Sequence, residues 1–197
     1  MTDEMSAEQM VQSYMLSAVD ASDTMFKKQL YGFYLVILYS TIDTLGLLDA
    51  PPAQVEATNS SFMAWVEKYF LPNSNSGFNA LDVWAARCAV LHTFSTESGL
   101  SRKGKARQLQ YFLFNGDAAR DYIAITGKID NGAHIAIHLG ECGTAFIKGM
   151  HQFVPNLLAN CASSRPHMQR LRNVLQLYPM EPPPNNSFNP MPLRGTG

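Results

Sequence analysis

Cysteine is scarce in this sequence, and its three positions lie far apart. Cys88, Cys142 and Cys161 are odd in number and have no C-x-x-C spacing. This pattern argues against a disulfide framework and against a zinc site, and it favours reduced thiols in a cytoplasmic protein. We therefore expect neither a structural metal nor a cofactor.

A charge excess and long hydrophobic runs are also missing. The formal net charge is −1, so any site for a polyanion has to be a local patch. The longest apolar run, residues 31–42, has about a dozen residues, whereas a membrane span needs roughly 20. The chain begins with acidic residues and lacks the basic-then-apolar order of a signal peptide. We expect a cytoplasmic protein that makes no membrane contact.

Apolar residues make up 46% of the chain, and over most of its length they recur at helical spacing. A weak helical pattern covers the first 24 residues. Stronger patterns predict five helices, at residues 26–48, 61–71, 79–96, 141–162 and 165–178. Asn59 or Ser60 is the expected N-cap of the second, and we expect the fourth to bend or break at Pro155.

The pattern changes between the third and fourth of these helices. Aromatic and β-branched runs at residues 108–114, 121–127 and 133–140 are separated by Asn-Gly turns, a strong local signal for hairpins. These runs predict a small antiparallel sheet of two or three strands, inserted at about residues 108–139. The predicted fold class is therefore mainly α with an antiparallel β-hairpin insertion.

The same patterns predict one folded domain over residues 25–178, preceded by a weakly helical segment at residues 1–24. Residues 179–197 are rich in proline and have no means of burying a core. We expect this tail to be disordered or wrapped on a neighbouring molecule.

The segment ALDVWAARCAVLHTFS, residues 80–95, places Arg87 and His92 inside an apolar helix. Burying an unpaired guanidinium or a protonated imidazole is costly, so each needs a partner. One interpretation is structural: Arg87 pairs with Asp43 or Asp82, and His92 is a satisfied core or interface histidine.

The other interpretation of this pair is chemical. A histidine with an ordinary pKa near 6.5 serves as a general acid or base, and an arginine holds a phosphate with two parallel hydrogen bonds. Positions i and i+5 of a helix differ by about 140°, so the two side chains do not stack on one face, but a long arginine can reach round toward a cleft that the histidine also faces. Together, Arg87 and His92 suit metal-free phosphodiester cleavage through a ribose 2′-hydroxyl.

The order of elements over residues 26–175 and the segment DVWAARCAVLHTFS resemble the HEPN superfamily (higher eukaryotes and prokaryotes nucleotide-binding). Its members are compact helical bundles with an R-x4-6-H motif on a late core helix. The resemblance implies a homodimer whose two motifs face each other across a shared cleft. It also implies a metal-independent endoribonuclease, related to toxins and phage-defence effectors. Arg87 would bind and orient the scissile phosphate of RNA, and His92 would be the acid/base group.

Two features depart from the family pattern. Cys88 stands directly after the arginine, where family members commonly have a polar residue, and the β insertion interrupts the plain bundle. The alternative function is therefore a catalytically silent HEPN-like module that binds a nucleotide or another protein. The sequence names neither an RNA target nor an antitoxin.

A basic loop follows the motif helix and carries Arg102, Lys103, Lys105 and Arg107. These side chains are candidates for nucleic-acid binding at the mouth of the same cleft, through phosphate contacts without base selectivity. The alternative is a solvated surface turn.

Two further histidines and one cysteine complete the set of candidate groups. His134 and His138 lie on one face of a predicted strand, about 13 Å apart, too far to chelate one metal together. Cys88 is one helical turn from His92, but a helix interior offers a nucleophile poor access to substrate. We expect structural roles for these histidines and for the thiol.

Overall fold

The computed structural model describes residues 5–75 and 77–175, and these residues are mainly helical. The helices are α1 (Ala7–Lys27), α2 (Tyr31–Asp49), α3 (Asn59–Trp65), α4 (Ala80–Thr93), α5 (Gly99–Arg102), α6 (Asp117–Thr126), α7 (Leu139–Ser163) and α8 (Arg165–Val174). The strands are β1 (Gln108–Phe112) and β2 (His134–His138). The mainly helical class is confirmed, and the predicted tail at residues 179–197 lies outside the described residues.

Helix α2 is the centre of the bundle. It contacts α1, α3, α4, α7 and α8, and side chains such as Leu38, Ile42 and Leu45 are fully buried. By length and composition alone it could cross a membrane, with a mean hydropathy of 1.4. However, 56% of that stretch is buried inside the bundle, so this property is weak evidence for a membrane span.

The N-terminal segment forms a longer and better docked helix than its weak pattern indicates. Ser6 closes a capping box at the start of α1, and Met10 and Val11 are buried in the main core. The chain then turns at Gln29, whose φ is +59°, so α2 begins at Tyr31 and not at residue 26. One predicted helix is therefore divided between the end of α1 and α2.

The predicted antiparallel hairpin is wrong. β1 and β2 pair in parallel, with Gln108 opposite His134 and Phe112 opposite His138. Residues 121–127, expected as a strand, belong to α6 and the turn after it. Parallel strands cannot be joined by a tight turn and need a crossover, usually a helix. The first Asn-Gly pair therefore leads into α6. The second lies at the end of a short 3-10 helix (Ile129–Gly132), which precedes β2.

Two other boundary predictions are corrected by local geometry. The N-cap of α3 is Thr58, whose hydroxyl accepts a hydrogen bond from the Ser61 amide. Helix α7 continues through Pro155, whose ring is exposed, so the chain does not break there. A proline in a helix interior costs one backbone hydrogen bond, and an exposed position lets water satisfy the freed carbonyl.

A π-helical turn, Val66–Phe70, extends α3 and packs against α7 at Gly149. A Cβ atom at Gly149 would lie 2.5 Å from the Tyr69 carbonyl oxygen, so only glycine permits this approach. The same holds at Gly46 of α2, where a Cβ would lie 2.6 Å from the Ser61 carbonyl oxygen. These contacts bring the aromatic residues of α3 into the core.

Buried hydroxyl and thiol groups lie where β1 meets the bundle. The Tyr39 and Tyr111 hydroxyls are hydrogen-bonded to each other; Tyr39 is buried and Tyr111 is half-buried. Burial raises the pKa of both phenols and raises the pKa of the Cys142 thiol to about 12. The folded state therefore strongly favours the neutral forms of these groups.

We predict that alkaline pH destabilises the fold partly through Cys142. In the unfolded chain this thiol ionises near pH 9.0, whereas folding raises its pKa to about 12. The contribution of this thiol to the free energy of unfolding is fully present below pH 9. It is lost as the pH rises toward 12, at up to about 1.4 kcal/mol per pH unit. Urea unfolding of Cys142→Ala should show a shallower loss above pH 9 than the wild type, and parallel pH profiles would contradict this.

Arg170 caps the C-terminal end of α2 from α8. Its Nη1 donates to the carbonyl oxygens of Leu47 (2.9 Å) and Ala50 (2.6 Å), and its Nη2 donates to that of Pro51 (2.6 Å). These carbonyls belong to the last turn of α2 and the residues after it, where no further N–H groups of the helix are available to donate to them. Only 8% of Arg170 is exposed, so water does not compete well for them.

We predict that Arg170→Ala lowers the free energy of unfolding by about 3 kcal/mol, because it leaves buried carbonyls without donors. Urea denaturation followed by circular dichroism measures the change. The matched control is Arg165→Ala, an exposed arginine on the same helix, for which we expect a change within about 0.5 kcal/mol. Equal effects of the two substitutions would show that the carbonyl contacts do not stabilise α2.

Candidate functional site

Helix α4 carries both Arg87 and His92, and both of its ends are well defined. Asn79 closes a capping box with Asp82 at the start of the helix, which fixes its first turn. The helix ends at Thr93, directly after His92, because the next residue, Phe94, has a φ of +51°. Arg87 therefore lies midway along α4, and His92 lies in its last turn.

Arg87 is paired with Asp43 of α2. Its Nε and Nη2 both donate to Oδ2 of Asp43, at 2.9 Å and 2.6 Å. The two side chains are only 18% and 17% exposed, so solvent screens the pair weakly. Of the two carboxylates considered from the sequence, Asp43 is the partner.

The guanidinium also lies over the Trp84 ring, with 4.8 Å between Cζ and the ring centroid. Such a cation–π contact holds a guanidinium face in place while leaving its edge free to donate. Sequence reasoning missed Trp84, although its position three residues before Arg87 places both on one helix face. Asp43 and Trp84 together restrict the guanidinium to one orientation.

His92 is exposed, and its Nε2 lies 3.4 Å from Nη1 of Arg87. The arginine thus reaches round the helix to the histidine, five positions further along α4. Because a guanidinium only donates, this contact requires a lone pair on Nε2 and places the proton of a neutral ring on Nδ1. Nη1 is thus the arginine nitrogen that faces the histidine, while Nε and Nη2 are held by Asp43.

Cys88 is half-buried beside this pair. Burial raises the pKa of its thiol, and the positive charge of Arg87 opposes that shift without cancelling it. A protonated thiol is a weak nucleophile. The side chain therefore suits a packing role better than a nucleophilic one.

The basic loop does not form one patch. Arg107 donates from Nε (3.1 Å) and Nη2 (2.6 Å) to Oδ2 of Asp82, a carboxylate that is only 2% exposed, and from Nη2 to the Gly77 carbonyl oxygen (2.7 Å). This arginine therefore ties the start of β1 to the first turn of α4. Asp82, the second carboxylate considered for Arg87, is occupied by Arg107.

The other three basic side chains of the loop are exposed. Arg102 is the last residue of α5, and its Nε lies 3.3 Å from a Glu97 carboxylate oxygen. Lys103 and Lys105 follow in the turn after α5. These three side chains remain candidates for phosphate contacts, whereas Nε and Nη2 of Arg107 are held by Asp82 and by the Gly77 carbonyl oxygen.

The two strand histidines have structural partners. His134 accepts at Nδ1 from the side-chain amide Nε2 of Gln110 (3.0 Å), and its own Nε2 lies 3.4 Å from Oδ2 of Asp130. His138 caps α7, since its Nδ1 accepts from the Glu141 amide at 3.2 Å. Within residues 5–75 and 77–175, no group of three His, Cys, Asp or Glu side chains is placed to hold a metal ion.

We predict that Arg87 and Asp43 stabilise the fold as a pair. A double-mutant cycle with Arg87→Ala and Asp43→Ala should give a coupling of about 1–2 kcal/mol in urea unfolding, because either single change leaves a half-buried charge unpaired. The matched control is the exposed pair of Arg102 and Glu97, for which we expect less than about 0.5 kcal/mol. Additive effects of Arg87→Ala and Asp43→Ala would contradict the pairing.

Comparisons with known proteins found no match among family models, curated proteins or solved structures. Interpretation of the site therefore depends on its residues and their geometry.

Proposed function

We propose that the chain is a metal-independent, HEPN-like endoribonuclease that acts as a homodimer, with Arg87 and His92 as its active residues. The observation that carries this proposal is the 3.4 Å contact between Nη1 of Arg87 and Nε2 of the exposed His92. The two groups that metal-free cleavage of RNA requires are thus adjacent, and one of them is open to solvent.

The proposed chemistry uses only these side chains. An unprotonated His92 removes the proton of a ribose 2′-hydroxyl, and the 2′-oxygen then attacks the adjacent phosphorus. Arg87 stabilises the charge that develops on the phosphate oxygens. The bond to the 5′-oxygen breaks as a protonated His92 of a second copy supplies its proton, which leaves a 2′,3′-cyclic phosphate and a 5′-hydroxyl.

Asp43 has a defined part in this proposal. It holds Nε and Nη2 of the guanidinium, so Nη1 remains directed toward His92 and available to a phosphate. A guanidinium fixed in this way loses little side-chain entropy when substrate binds. We therefore assign Asp43 as a positioning residue.

An exposed aromatic pair supports the proposed homodimer. Phe33 and Phe94 are 54% and 57% exposed, and their ring centroids are 5.2 Å apart. Phe94 follows His92 by two residues, so this apolar surface is next to the motif. Large exposed aromatic side chains are enriched at protein interfaces. A two-fold axis near this surface would bring two Arg87–His92 motifs together.

The second candidate function is a catalytically silent module that binds a nucleotide or another protein. The ion pair with Asp43 favours it, because the carboxylate already neutralises the charge that a phosphate would need. In either case we propose a cytoplasmic protein. A toxin or phage-defence role applies only if it cleaves RNA.

We predict that the purified protein cleaves single-stranded RNA in EDTA and leaves cyclic-phosphate ends. Arg87→Ala and His92→Ala should each lower the rate at least about 100-fold, the usual scale of an acid–base contribution. The matched control is His151→Ala, an exposed histidine on α7, which should cleave at the wild-type rate.

Three outcomes of this assay count against the ribonuclease proposal. Cleavage that survives both Arg87→Ala and His92→Ala would assign the activity to another site or to a contaminant. Cleavage that requires a metal ion would contradict the mechanism. A folded, dimeric wild type that does not cleave RNA would favour the silent module.

A further inference from the structure

A second candidate site lies at the carboxyl ends of the two strands. A cavity of about 290 Å³ opens there between β1, β2 and the helices that follow them. Its walls include the apolar Phe112 and Ile123 and the polar Asn115, His138 and Glu141. None of these residues belongs to the Arg87–His92 motif.

The parallel pairing of the strands creates this cavity. β1 continues into α6 and β2 continues into α7, so both helices begin at the same edge of the sheet. Ligands of parallel α/β units bind outside the carboxyl ends of the strands, where the chain leaves a crevice between its loops. The predicted antiparallel hairpin would have placed these ends on opposite edges, so the cavity follows from the corrected topology.

His138 carries a buried donor that has no partner. Because its Nδ1 accepts from the Glu141 amide, the neutral ring bears its proton on Nε2. This Nε2 is buried and has no hydrogen-bond partner among the described residues. A buried donor without an acceptor is costly and calls for an explanation. His138 itself lines the cavity, so an acceptor on a molecule bound there would be the partner of this donor.

The other polar groups define what such a molecule presents. The ionised Glu141 only accepts hydrogen bonds, while the Asn115 amide both donates and accepts. Glu141 and Asn115 are exposed at the cavity mouth, and Phe112 forms a buried aromatic wall. These walls suit a planar ring with adjacent N–H donors on one edge and an acceptor nearby. The cavity volume is at the low end for ligand sites, which suits one ring system.

We propose that this cavity binds a guanine base. Guanine presents its N1–H and its exocyclic amine side by side, so both can donate to the Glu141 carboxylate, and its O6 and N7 are acceptors. Adenine presents an acceptor at N1, which the carboxylate repels, and uracil presents a single N–H between two carbonyls. Cytosine, like adenine, presents a ring-nitrogen acceptor beside its amine, so guanine is the base that this set of groups selects. The inference does not depend on the proposed ribonuclease activity.

Calorimetric titration of the full chain with guanosine, adenosine and uridine tests this proposal. We expect guanosine to bind at least about tenfold more tightly than either of the others, because the wrong base leaves Glu141 facing an acceptor. Failure of guanosine to bind at millimolar concentration, or equal binding of all three nucleosides, would overturn the proposal.

Three variants locate the binding. Ala119→Leu fills the cavity from α6 and should weaken guanosine binding at least about tenfold, whereas Ala118→Leu, at an exposed neighbouring position that does not line it, should not. Glu141→Gln should reduce the preference for guanosine over adenosine. Circular dichroism verifies that each variant is folded. Guanosine binding unchanged in folded Ala119→Leu would place the base elsewhere and overturn the assignment.

A bound guanine has two sources, a free nucleotide or an RNA strand. Binding of guanosine monophosphate and of a short single-stranded RNA with one guanine distinguishes them. Tighter binding of the mononucleotide assigns the cavity to a free nucleotide. Comparable or tighter binding of the RNA, lost when its guanine is replaced by adenine, assigns it to a base within a strand. RNA binding that does not depend on the guanine counts against recognition of this base within a strand.

Discussion

The burial of α2 is the constraint on which the rest of the structure depends. Five helices contact it, so the polar groups on and near it need partners within the bundle. At its carboxyl end, Arg170 supplies donors to three carbonyl oxygens. On its side, Asp43 accepts from Arg87. The candidate site is thus built around a charge on a mostly buried helix.

Two ion pairs on α4 divide the functional and structural roles of its charged side chains. Asp82 is nearly inaccessible and binds Arg107, which fixes the start of β1 against the first turn of α4. Asp43 and Arg87 are less buried, and the arginine keeps one nitrogen directed toward the exposed His92. The first pair ties β1 to α4, whereas the second combines an anchored charge with access to solvent. That difference is why the proposed chemistry is assigned to Arg87.

The sheet gives the protein a second candidate site. Its two strands are short, yet their parallel pairing places the first turns of α6 and α7 at one edge. The cavity at that edge has a different chemistry from the Arg87–His92 motif: its one formal charge among the residues discussed is the Glu141 carboxylate. The proposed base binding and the proposed phosphate binding would be complementary properties.

The sequence by itself determined the elements with strong periodicity: the apolar helices, the strand at His134–His138, and the nearness of Arg87 to His92 on one helix. It also supplied Asp43 and Asp82 as the alternative partners of Arg87. Only the tertiary structure decided between these carboxylates, separated Arg107 from the exposed basic residues, and made the sheet parallel. The physical reason is that periodicity and turn residues act over a few positions, whereas strand direction and ion-pair choice depend on contacts between residues 25 or more positions apart.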